Sequence, residues 1–485
     1  MTETIFWHDY ETTGADATWD RPVQFAGIRT DLNLEEIDQP VEYFCKLNAD
    51  CVPHPEAALI TRITPQIAAD KGTNEAQFCK SILQHMGRAE TCSVGYNSIR
   101  FDDEVTRHML YRNFHDPYGR EWKDGNSRWD LIDVVRLVAA LRPSGLEWPV
   151  RDDGQTSFRL DQLTASNGIE HSGAHDAVSD VRATIALARL IKHQQPDLYD
   201  YCWKLRRKSF VAAQIDVANH KPFLYISSKI PASRHCAGLM APLVVHPKNP
   251  DGVIAFDLSC DPHLLLQHSG EELYEILYKK ADSDDQPRSN HQRINLGIQT
   301  IQINKSPIVV TSKVLTPELD QRLQIDREQA EENCKFIVSR PELIAKVRQL
   351  FDRDYVPETP VTDPELLLYE GFLSNRDRET ADRIVQSSPE ELANHSWSFE
   401  NRKMDELLFR YRARNWPETL SKKESSQWTE FVRERVSRPW RKGAISIDKA
   451  ILRCSQLREE RAGDPPSIAI LDDLESWLRR FHESN

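Results

Sequence analysis

The run Thr4-Ile5-Phe6-Trp7-His8-Asp9-Tyr10-Glu11-Thr12 is aromatic and β-branched, which predicts a buried β-strand. Successive side chains of a strand point to opposite faces, so Asp9 and Glu11 share one face. Two carboxylates this close repel each other, and such a pair is normally tolerated only when it is protonated or neutralised by a cation. A divalent metal ion is the simplest neutralising group.

Two further acidic blocks follow. Asp102 lies where the strand-like Ser93-Val94-Gly95-Tyr96 has given way to a helical stretch. An acidic residue is favourable at a helix N-terminus for its own sake, so a capping role for Asp102 stays open beside a metal-binding one. In Ala174-His175-Asp176-Ala177-Val178-Ser179-Asp180 a helix with an apolar stripe begins. His175 and Asp180 would lie well apart in angle on an ideal helix, which predicts that His175 precedes the first regular turn.

The order of these blocks resembles the three motifs of the DEDDh (DnaQ-like) 3′–5′ exonuclease superfamily, and most specifically bacterial exonuclease I. The stretches that carry the resemblance are Phe6-Trp7-His8-Asp9-Tyr10-Glu11-Thr12, Asp20-Arg21-Pro22-Val23-Gln24-Phe25, Arg100-Phe101-Asp102-Asp103-Glu104-Val105-Thr106-Arg107, Asn126-Ser127-Arg128-Trp129-Asp130, Ser157-Phe158-Arg159-Leu160, Ile303-Asn304-Lys305 and Tyr411-Arg412-Ala413-Arg414-Asn415. The resemblance covers nearly the whole chain. It implies processive 3′–5′ degradation of single-stranded DNA to 5′-mononucleotides, in DNA repair and recombination.

The resemblance also implies two-metal-ion hydrolysis. Its catalytic residues would be Asp9, Glu11, Asp102, His175 and Asp180, of which the four acids would bind metal and Glu11 would also contact substrate. Mg²⁺ prefers oxygen ligands, so it is the expected ion, with Mn²⁺ as a substitute. A lone histidine more often caps a helix or faces solvent, but the three acidic motifs favour His175 as the general base. An unperturbed imidazole, with a pKa near ~6.5, accepts a proton at neutral pH. Asp103, Asp176 and Glu104 are predicted to be helix caps or surface charges.

Binding one strand without sequence preference requires aromatic faces for stacking and cations for phosphates. The candidates implied by the resemblance are Arg107, Tyr118, Trp122, Arg136, Phe158 and Arg159. Arg159 is predicted to lie beside the terminal phosphate. Each aromatic residue could equally belong to the core. The basic stretches 204–208 and 409–416 are typical either of a nucleic-acid face or of solvated helix surface.

The family also binds the acidic C-terminal tail of single-stranded DNA-binding protein in a basic pocket. Arg142, Tyr201 and Lys221 match positions assigned to that pocket. Thr316 departs from the pattern, because an arginine is expected there. Arg62 departs too, because relatives tend to carry glycine at this position, in a loop expected near the terminal base.

Length, hydropathy, cysteine content and net charge limit the class of protein to which the chain can belong. With 485 residues the chain is predicted to form two or three domains. A mean hydropathy of −0.58 and the lack of a long apolar run predict no membrane-spanning helix or signal peptide, hence a cytoplasmic protein, expected as a monomer. Nine scattered cysteines predict neither disulfides nor a zinc site. A net charge of −13 argues against broad adhesion to duplex DNA.

The predicted organisation has three parts. Residues 1–196 form an α/β, RNase H-like DEDDh exonuclease domain, with strands near 4–11, 22–30, 41–47 and 91–97 and a closing helix at 176–193. Residues 197–352 carry short β pieces at 223–226, 253–256 and 308–310 and a charged loop at 280–292, and the resemblance implies an SH3-like domain that binds single-stranded DNA. Residues 353–485 combine a proline-rich linker with a helical domain. In the family these parts form a C-shaped body around one strand.

Two other functions remain open. An RNA-trimming 3′–5′ exoribonuclease would use the same chemistry and would differ in its contacts with the sugar 2′-hydroxyl. The long second and third domains favour DNA, because small RNA exonucleases of the superfamily usually lack them. A non-catalytic module that binds single-stranded DNA is a third possibility, but all five catalytic positions carry the expected residues.

Overall fold

The computed structural model describes residues 2–171, 176–278, 295–353, 362–441 and 443–484. The chain forms two compact units, one of residues 1–127, 170–186 and 359–485 and the other of residues 128–169 and 187–358. The predicted domain bounds, 1–196, 197–352 and 353–485, stay a prediction. Within the described ranges no helix has both the length and the apolar composition needed to cross a membrane. All nine cysteines fall in these ranges as free thiols, seven of them buried.

The first unit begins with a twisted sheet flanked by helices. Its strands are β1 (Thr4–Thr12), β2 (Pro22–Thr30), β3 (Val41–Phe44) and β4 (Thr91–Gly95), in the order β3-β2-β1-β4. Its helices here are α1 (Pro55–Thr61), α2 (Pro65–Lys71), α3 (Glu75–Met86) and α4 (Asp102–Arg112). β2 and β3 run antiparallel to their neighbours, whereas β4 runs parallel to β1. The four strands predicted for this region are confirmed.

β1 is central because its side chains are apolar on both faces over its first half. Phe6 packs with Phe25 of β2 and Phe78 of α3 in one core, and Trp7 is fully buried. Each such aromatic side chain stabilises the fold by roughly 1.5–3 kcal/mol relative to an exposed one. This packing fixes the strand and thereby the direction of the acidic side chains at its far end.

The second unit carries an antiparallel sheet and most of the middle helices. The next strand along the chain is β5 (Ser127–Asp130), of which Ser127 belongs to the first unit and the other residues to the second. The helices that follow are α5 (Leu131–Leu141), α6 (Leu160–Ser166), α7 (Ala177–Gln194), α8 (Pro196–Leu205) and α9 (Lys208–Gln214), with α7 beginning in the first unit. The sheet contains β6 (Phe223–Ile226), β7 (Ala237–Val245), β8 (Gly252–Asp257), β9 (Ile298–Gln302) and β10 (Ile308–Thr311), in the order β10-β6-β7-β8-β9. The remaining helices are α10 (Leu264–Gln267), α11 (Gly270–Tyr278), α12 (Pro317–Leu323), α13 (Arg327–Val338) and α14 (Pro341–Asp352).

The predicted β pieces correspond to β6, β8 and β10, and the predicted closing helix corresponds to α7. β7 and β9 were not predicted. β7 contains Gly238 and Pro242, which argue against a strand, and its register with β8 shifts between Pro242 and Val244. The predicted loop 280–292 lies outside the described residues.

The C-terminal part of the first unit is helical, as predicted. Its helices are α15 (Asn375–Gln386), α16 (Pro389–Asn394), α17 (Lys403–Asn415), α18 (Lys422–Ser437), α19 (Ile447–Glu460) and α20 (Pro465–Ser484). Most of the predicted linker, residues 354–361, lies outside the described part of the chain.

Both interpretations of the basic stretch 409–416 were wrong. Arg410 and Arg414 of α17 are buried instead of facing nucleic acid or solvent. Arg410 donates to Asp363 at 2.9 Å, and Arg414 donates to Asp50 at 2.6 Å. The contact between Arg414 and Asp50 therefore ties α17 to the N-terminal part of the first unit.

Candidate active site

Three of the predicted metal ligands come together in the first unit. Asp9 and Glu11 project from the same face of β1, and Asp180 lies in the first turn of α7. One carboxylate oxygen of each residue lies within 4.8 Å of the other two. A single divalent cation could contact all three.

Asp102, the fourth predicted ligand, is the first residue of α4 and is buried. Its Oδ1 accepts a hydrogen bond from the backbone N–H of Tyr10, at 3.1 Å. The Thr106 hydroxyl donates to the Asp102 carbonyl at 2.7 Å and fixes the first turn of the helix. The side chain of Asp102 is therefore bonded to β1 at Tyr10, the residue between Asp9 and Glu11.

The electrostatics of the cluster favour a cation. Burial, then Asp102, Glu11 and Asp180, raise the pKa of Asp9 well above its ordinary value. Burial, then Asp180 and Asp102, raise the pKa of Glu11 to about 8. Both acids would lose this penalty if a positive charge lay between them. An all-carboxylate donor set of this kind fits a hard divalent ion.

The predicted general base, His175, lies outside the described residues. A second histidine, His171, which sequence reasoning missed, contacts the acidic cluster. The Nε2 atom of His171 is hydrogen-bonded to Oδ1 of Asp180. No spacing rule in the sequence distinguishes His171 from an ordinary loop histidine, since it lies nine residues before Asp180.

The prediction that Asp103 and Glu104 are helix caps or surface charges is wrong, because both pair with arginines. Asp103 is buried and accepts a hydrogen bond from Arg120 at 2.6 Å. Glu104 accepts from Arg107 at 2.8 Å. Asp176 accepts from the backbone N–H of Ser179 at 3.1 Å, which confirms its predicted capping role.

Among the predicted strand-binding residues of the first unit, Arg107 is largely buried. Its Nε and Nη2 atoms donate to Glu121 at 2.7 and 2.8 Å. Its guanidinium also lies 5.3 Å from the ring centroid of Tyr118. Arg107 thus holds Tyr118 and Glu121 in place, and direct phosphate binding by Arg107 stays a prediction.

The aromatic candidates of this unit are accessible. Trp122 is 64% exposed, and Tyr118 is part-buried. The structure adds Phe372, which is 83% exposed and meets Tyr118 edge-on with the ring centroids 6.2 Å apart. Sequence reasoning missed Phe372 because the exposure of a phenylalanine has no sequence signal.

The predicted strand-binding residues of the second unit differ in how far they are exposed to solvent. The Arg159 side chain is 64% exposed, and its Nη2 lies 3.0 Å from a carboxylate oxygen of Asp161. Arg136 is buried, donates to Asp133 at 2.5 Å, and places its guanidinium 5.7 Å from the Phe158 ring centroid. Arg136 therefore supports Phe158 from one side.

The predicted partner residues also lie in the second unit. Arg142 is exposed, 3.8 Å from a carboxylate oxygen of Asp197. The Tyr201 hydroxyl donates to the Val309 carbonyl at 2.7 Å, and Lys221 is exposed.

Each of the two departures from the family pattern has a local structural context. The Thr316 side chain caps α12 by accepting from the backbone N–H of Leu319 at 3.3 Å, a bond that an arginine could not accept. Arg62 follows α1 with φ 59°, a left-handed conformation that favours glycine. An arginine in this conformation carries a cost that a glycine would avoid.

Three family models match the chain. They are Exonuclease over residues 6–188, Exonuclease I SH3-like domain over residues 206–353, and Exonuclease I C-terminal domain over residues 362–481. Exodeoxyribonuclease I of Escherichia coli (strain K12) is 41% identical over 472 residues, 97% of this chain and 96% of that protein. Exodeoxyribonuclease I of Haemophilus influenzae (strain ATCC 51907 / DSM 11121 / KW20 / Rd) is 39% identical over 475 residues, 97% of each chain. The predicted order of domains is confirmed.

Solved structures give the same result. A moderately thermophilic Exonuclease I from Methylocaldum szegediense has a TM-score of 0.91 at 42% identity, over 99% of each chain. The zinc ion bound form of an E. coli ExoI–ssDNA complex has a TM-score of 0.91 at 39% identity, and SSB/Exonuclease I in complex with the inhibitor CFAM has 0.90 at 38%. Both of these cover 99% of this chain and 100% of the other.

Proposed function

The chain belongs to the exonuclease I family and is a metal-dependent 3′–5′ exonuclease of single-stranded DNA, and we propose that Asp9, Glu11 and Asp180 hold two Mg²⁺ ions in it. Asp102 would complete the site directly or through water. The observation that carries this proposal is the approach of three carboxylate oxygens within 4.8 Å, in a setting that raises the pKa of both strand acids. Mn²⁺ could replace Mg²⁺, because both accept oxygen ligands.

When bound, the ions would supply an activated water and offset the charge that develops on the leaving 3′ oxygen. The chain's own residues would do the rest. His175 would accept the proton of the attacking water, and Glu11 would contact the terminal nucleotide. The exposed guanidinium of Arg159 would bind the terminal phosphate and hold the scissile bond in place.

We also propose that Trp122, Tyr118 and Phe158 stack on bases of the strand, with Arg107 supporting Tyr118 and Arg136 supporting Phe158. The cation–π contacts from Arg107 to Tyr118 and from Arg136 to Phe158 support this arrangement. Stacking contributes roughly 1–3 kcal/mol per base and tolerates any sequence. Contacts of this kind suit processive digestion to 5′-mononucleotides. An RNA-trimming role has no observation in its favour.

Variants of the acidic cluster test the site. Asp9→Ala should abolish hydrolysis of an end-labelled single strand in Mg²⁺ while leaving strand affinity nearly unchanged, because the stacking residues lie elsewhere in sequence. Asp176→Ala is the matched control, because this neighbouring acid caps a backbone N–H and is not one of the three acids whose oxygens converge. It should retain most of the activity. Undiminished hydrolysis by Asp9→Ala would contradict the assignment.

A second proposal concerns the partner. A solved structure of SSB/Exonuclease I is 38% identical to this chain. We propose that this chain binds single-stranded DNA-binding protein too, and that the acidic C-terminal tail docks on Arg142, Tyr201 and Lys221. Arg142 and Lys221 are exposed cations. Cations and a tyrosine ring suit a C-terminal carboxylate next to an apolar side chain. Thr316 supplies no charge here, so binding should be weaker and more salt-sensitive than in a fully basic pocket.

Calorimetry with a tail peptide tests the pocket. Lys221→Glu should weaken binding without altering hydrolysis of naked oligonucleotides, whereas Lys229→Glu makes the same charge change at another exposed lysine and should leave peptide affinity unchanged. Equal affinity for the wild type and Lys221→Glu would remove Lys221 from the site.

We further propose that the protein acts as a monomer in the cytoplasm, where its nine free thiols would stay reduced.

A further inference from the structure

His171 contacts the acidic cluster, although none of the sequence motifs uses it. Its Nε2 is hydrogen-bonded to Oδ1 of Asp180, and the two side chains are only 6% and 16% exposed. Both residues belong to the first unit. Asp180 is also one of the three acids whose oxygens converge within 4.8 Å. A single carboxylate therefore faces both a histidine and the proposed metal position.

The carboxylate of an aspartate can rotate, and β1 does not constrain Asp180 as it constrains Asp9 and Glu11. A carboxylate has two oxygens, so Asp180 can pair with His171 through one of them and offer the other to a cation. Hydrogen bonds to metal-binding carboxylates fix their orientation, and losing such a partner typically weakens metal affinity or activity about 10–100-fold.

We propose that His171 is a positioning residue that orients the Asp180 carboxylate for metal binding. It acts through Asp180 and takes no part in proton transfer at the scissile bond. This inference rests on the proposed role of Asp180 as a metal ligand. The opposite possibility, that His171 competes with the cation for Asp180, predicts an effect of opposite sign, because removing a competitor would tighten metal binding.

The test measures metal affinity in the absence of DNA, by titration calorimetry with Mn²⁺ and with Mg²⁺ on the full chain. His171→Ala should weaken affinity about 10-fold or more and raise the Mg²⁺ concentration that gives half-maximal hydrolysis by a similar factor. Hydrolysis at saturating Mg²⁺ should recover most of the wild-type rate. His171→Gln should restore metal affinity, since its amide nitrogen can take the place of Nε2, whereas the shorter His171→Asn should not.

Two controls separate positioning from a general structural effect. His263 pairs with Asp261 at 2.8 Å in the second unit, and His263→Ala should leave metal affinity unchanged. In an Asp180→Asn background, adding His171→Ala should cause no further loss, because the histidine would act only through that carboxylate.

Unchanged or tighter metal binding by His171→Ala would overturn the proposal, and so would a further loss in the Asp180→Asn background. If His171→Ala does not fold, the comparison of Gln with Asn decides, and equal affinities for those two variants would overturn it. A wild-type protein that neither binds metal nor hydrolyses single strands would instead contradict the proposed active site itself.

Discussion

At the scale of single residues, the buried acidic cluster lowers the stability of the folded protein, and the same cluster is suited to bind a metal ion. Asp9 and Glu11 are held side by side because the neighbouring aromatic residues of β1 fix the strand. Burial, and then repulsion from neighbouring acids, raises the pKa of both residues, so protons remain bound where free carboxyls would have lost them. A protein without a use for a cation would gain by replacing one of these acids.

A stability titration in EDTA tests this electrostatic strain. The pKa of Glu11 is about 8 in the folded chain against 4.5 ordinarily, so the folded state holds a proton that the unfolded chain has released across that window. Stability should therefore fall as pH rises from about 4.5 to about 8, by about 1.4 kcal/mol per pH unit for each such proton. With Mg²⁺ the trend should reverse, because the ion binds the deprotonated acids.

The control for this titration is Glu11→Gln, which removes the titrating group. Denaturant unfolding at several pH values, for wild type and variant, isolates the contribution of Glu11 from that of other acids. The quantity to compare is the slope of the free energy of unfolding against pH, in the wild type and in Glu11→Gln. Parallel pH profiles in EDTA would show that Glu11 is not strained.

At the scale of elements, the sequence predicts those strands and helices whose residues show a clear local periodicity. The alternation in β1 places Asp9 and Glu11 on one face, and the apolar stripe after Ala177 gives α7. The convergence of these two acids with Asp180 of α7 joins segments far apart in the chain. The motif order of the family predicts this convergence, and periodicity cannot. β7 was missed because Gly238 and Pro242 oppose strand formation locally, and the packing of the sheet overrides them.

Tertiary context also explains why the arginines of α17 were misassigned. A run of basic residues indicates solvent or nucleic acid only if the helix face is free, and here that face meets Glu365 and Asp363. Burial alone would raise the pKa of Glu365, but the guanidiniums of Arg414 and Arg21 hold it well below its usual range. The carboxylate is therefore charged, and it joins α17 to the N-terminal part of the unit.

Removing this carboxylate should be costly. Glu365 accepts from Arg21 at 2.5 Å and from Arg410 at 3.1 Å, and it is almost fully buried. Glu365→Ala would remove one carboxylate partner from the buried guanidiniums of Arg21, Arg410 and Arg414. We predict a loss of about 3–5 kcal/mol in the free energy of unfolding. Urea unfolding monitored by circular dichroism measures this loss.

Glu406→Ala is the matched control, because Glu406 pairs with the same Arg410 from a side chain that is 53% exposed. Exposed pairs contribute little, so this variant should lose less than about 1 kcal/mol. Equal losses in the free energy of unfolding for the two variants would mean that the buried ion pairs of Glu365 stabilise the unit no more than an exposed pair does.

At the scale of the whole molecule, charge and exposure together set the form of the substrate. The chain carries a net charge of −13, and several of its arginines are already committed to buried carboxylates, as Arg120 is to Asp103. Little positive potential is then available to hold a duplex or to separate its strands. The exposed rings of Trp122 and Phe372 offer stacking faces that only an unpaired base can use.

We therefore predict that a 3′-blunt duplex is a poor substrate. Opening one base-pair step costs about 1.4 kcal/mol on average, which corresponds to about a tenfold lower rate if the enzyme does nothing to assist it. Digestion of a blunt duplex should be at least about tenfold slower than that of the matched single strand at equal salt. A duplex with a 3′ single-stranded overhang is the internal control, because its overhang should be removed at the single-strand rate and digestion should then slow at the junction. Equal rates on blunt duplex and single strand, or passage through the junction without a pause, would show that the protein opens base pairs itself.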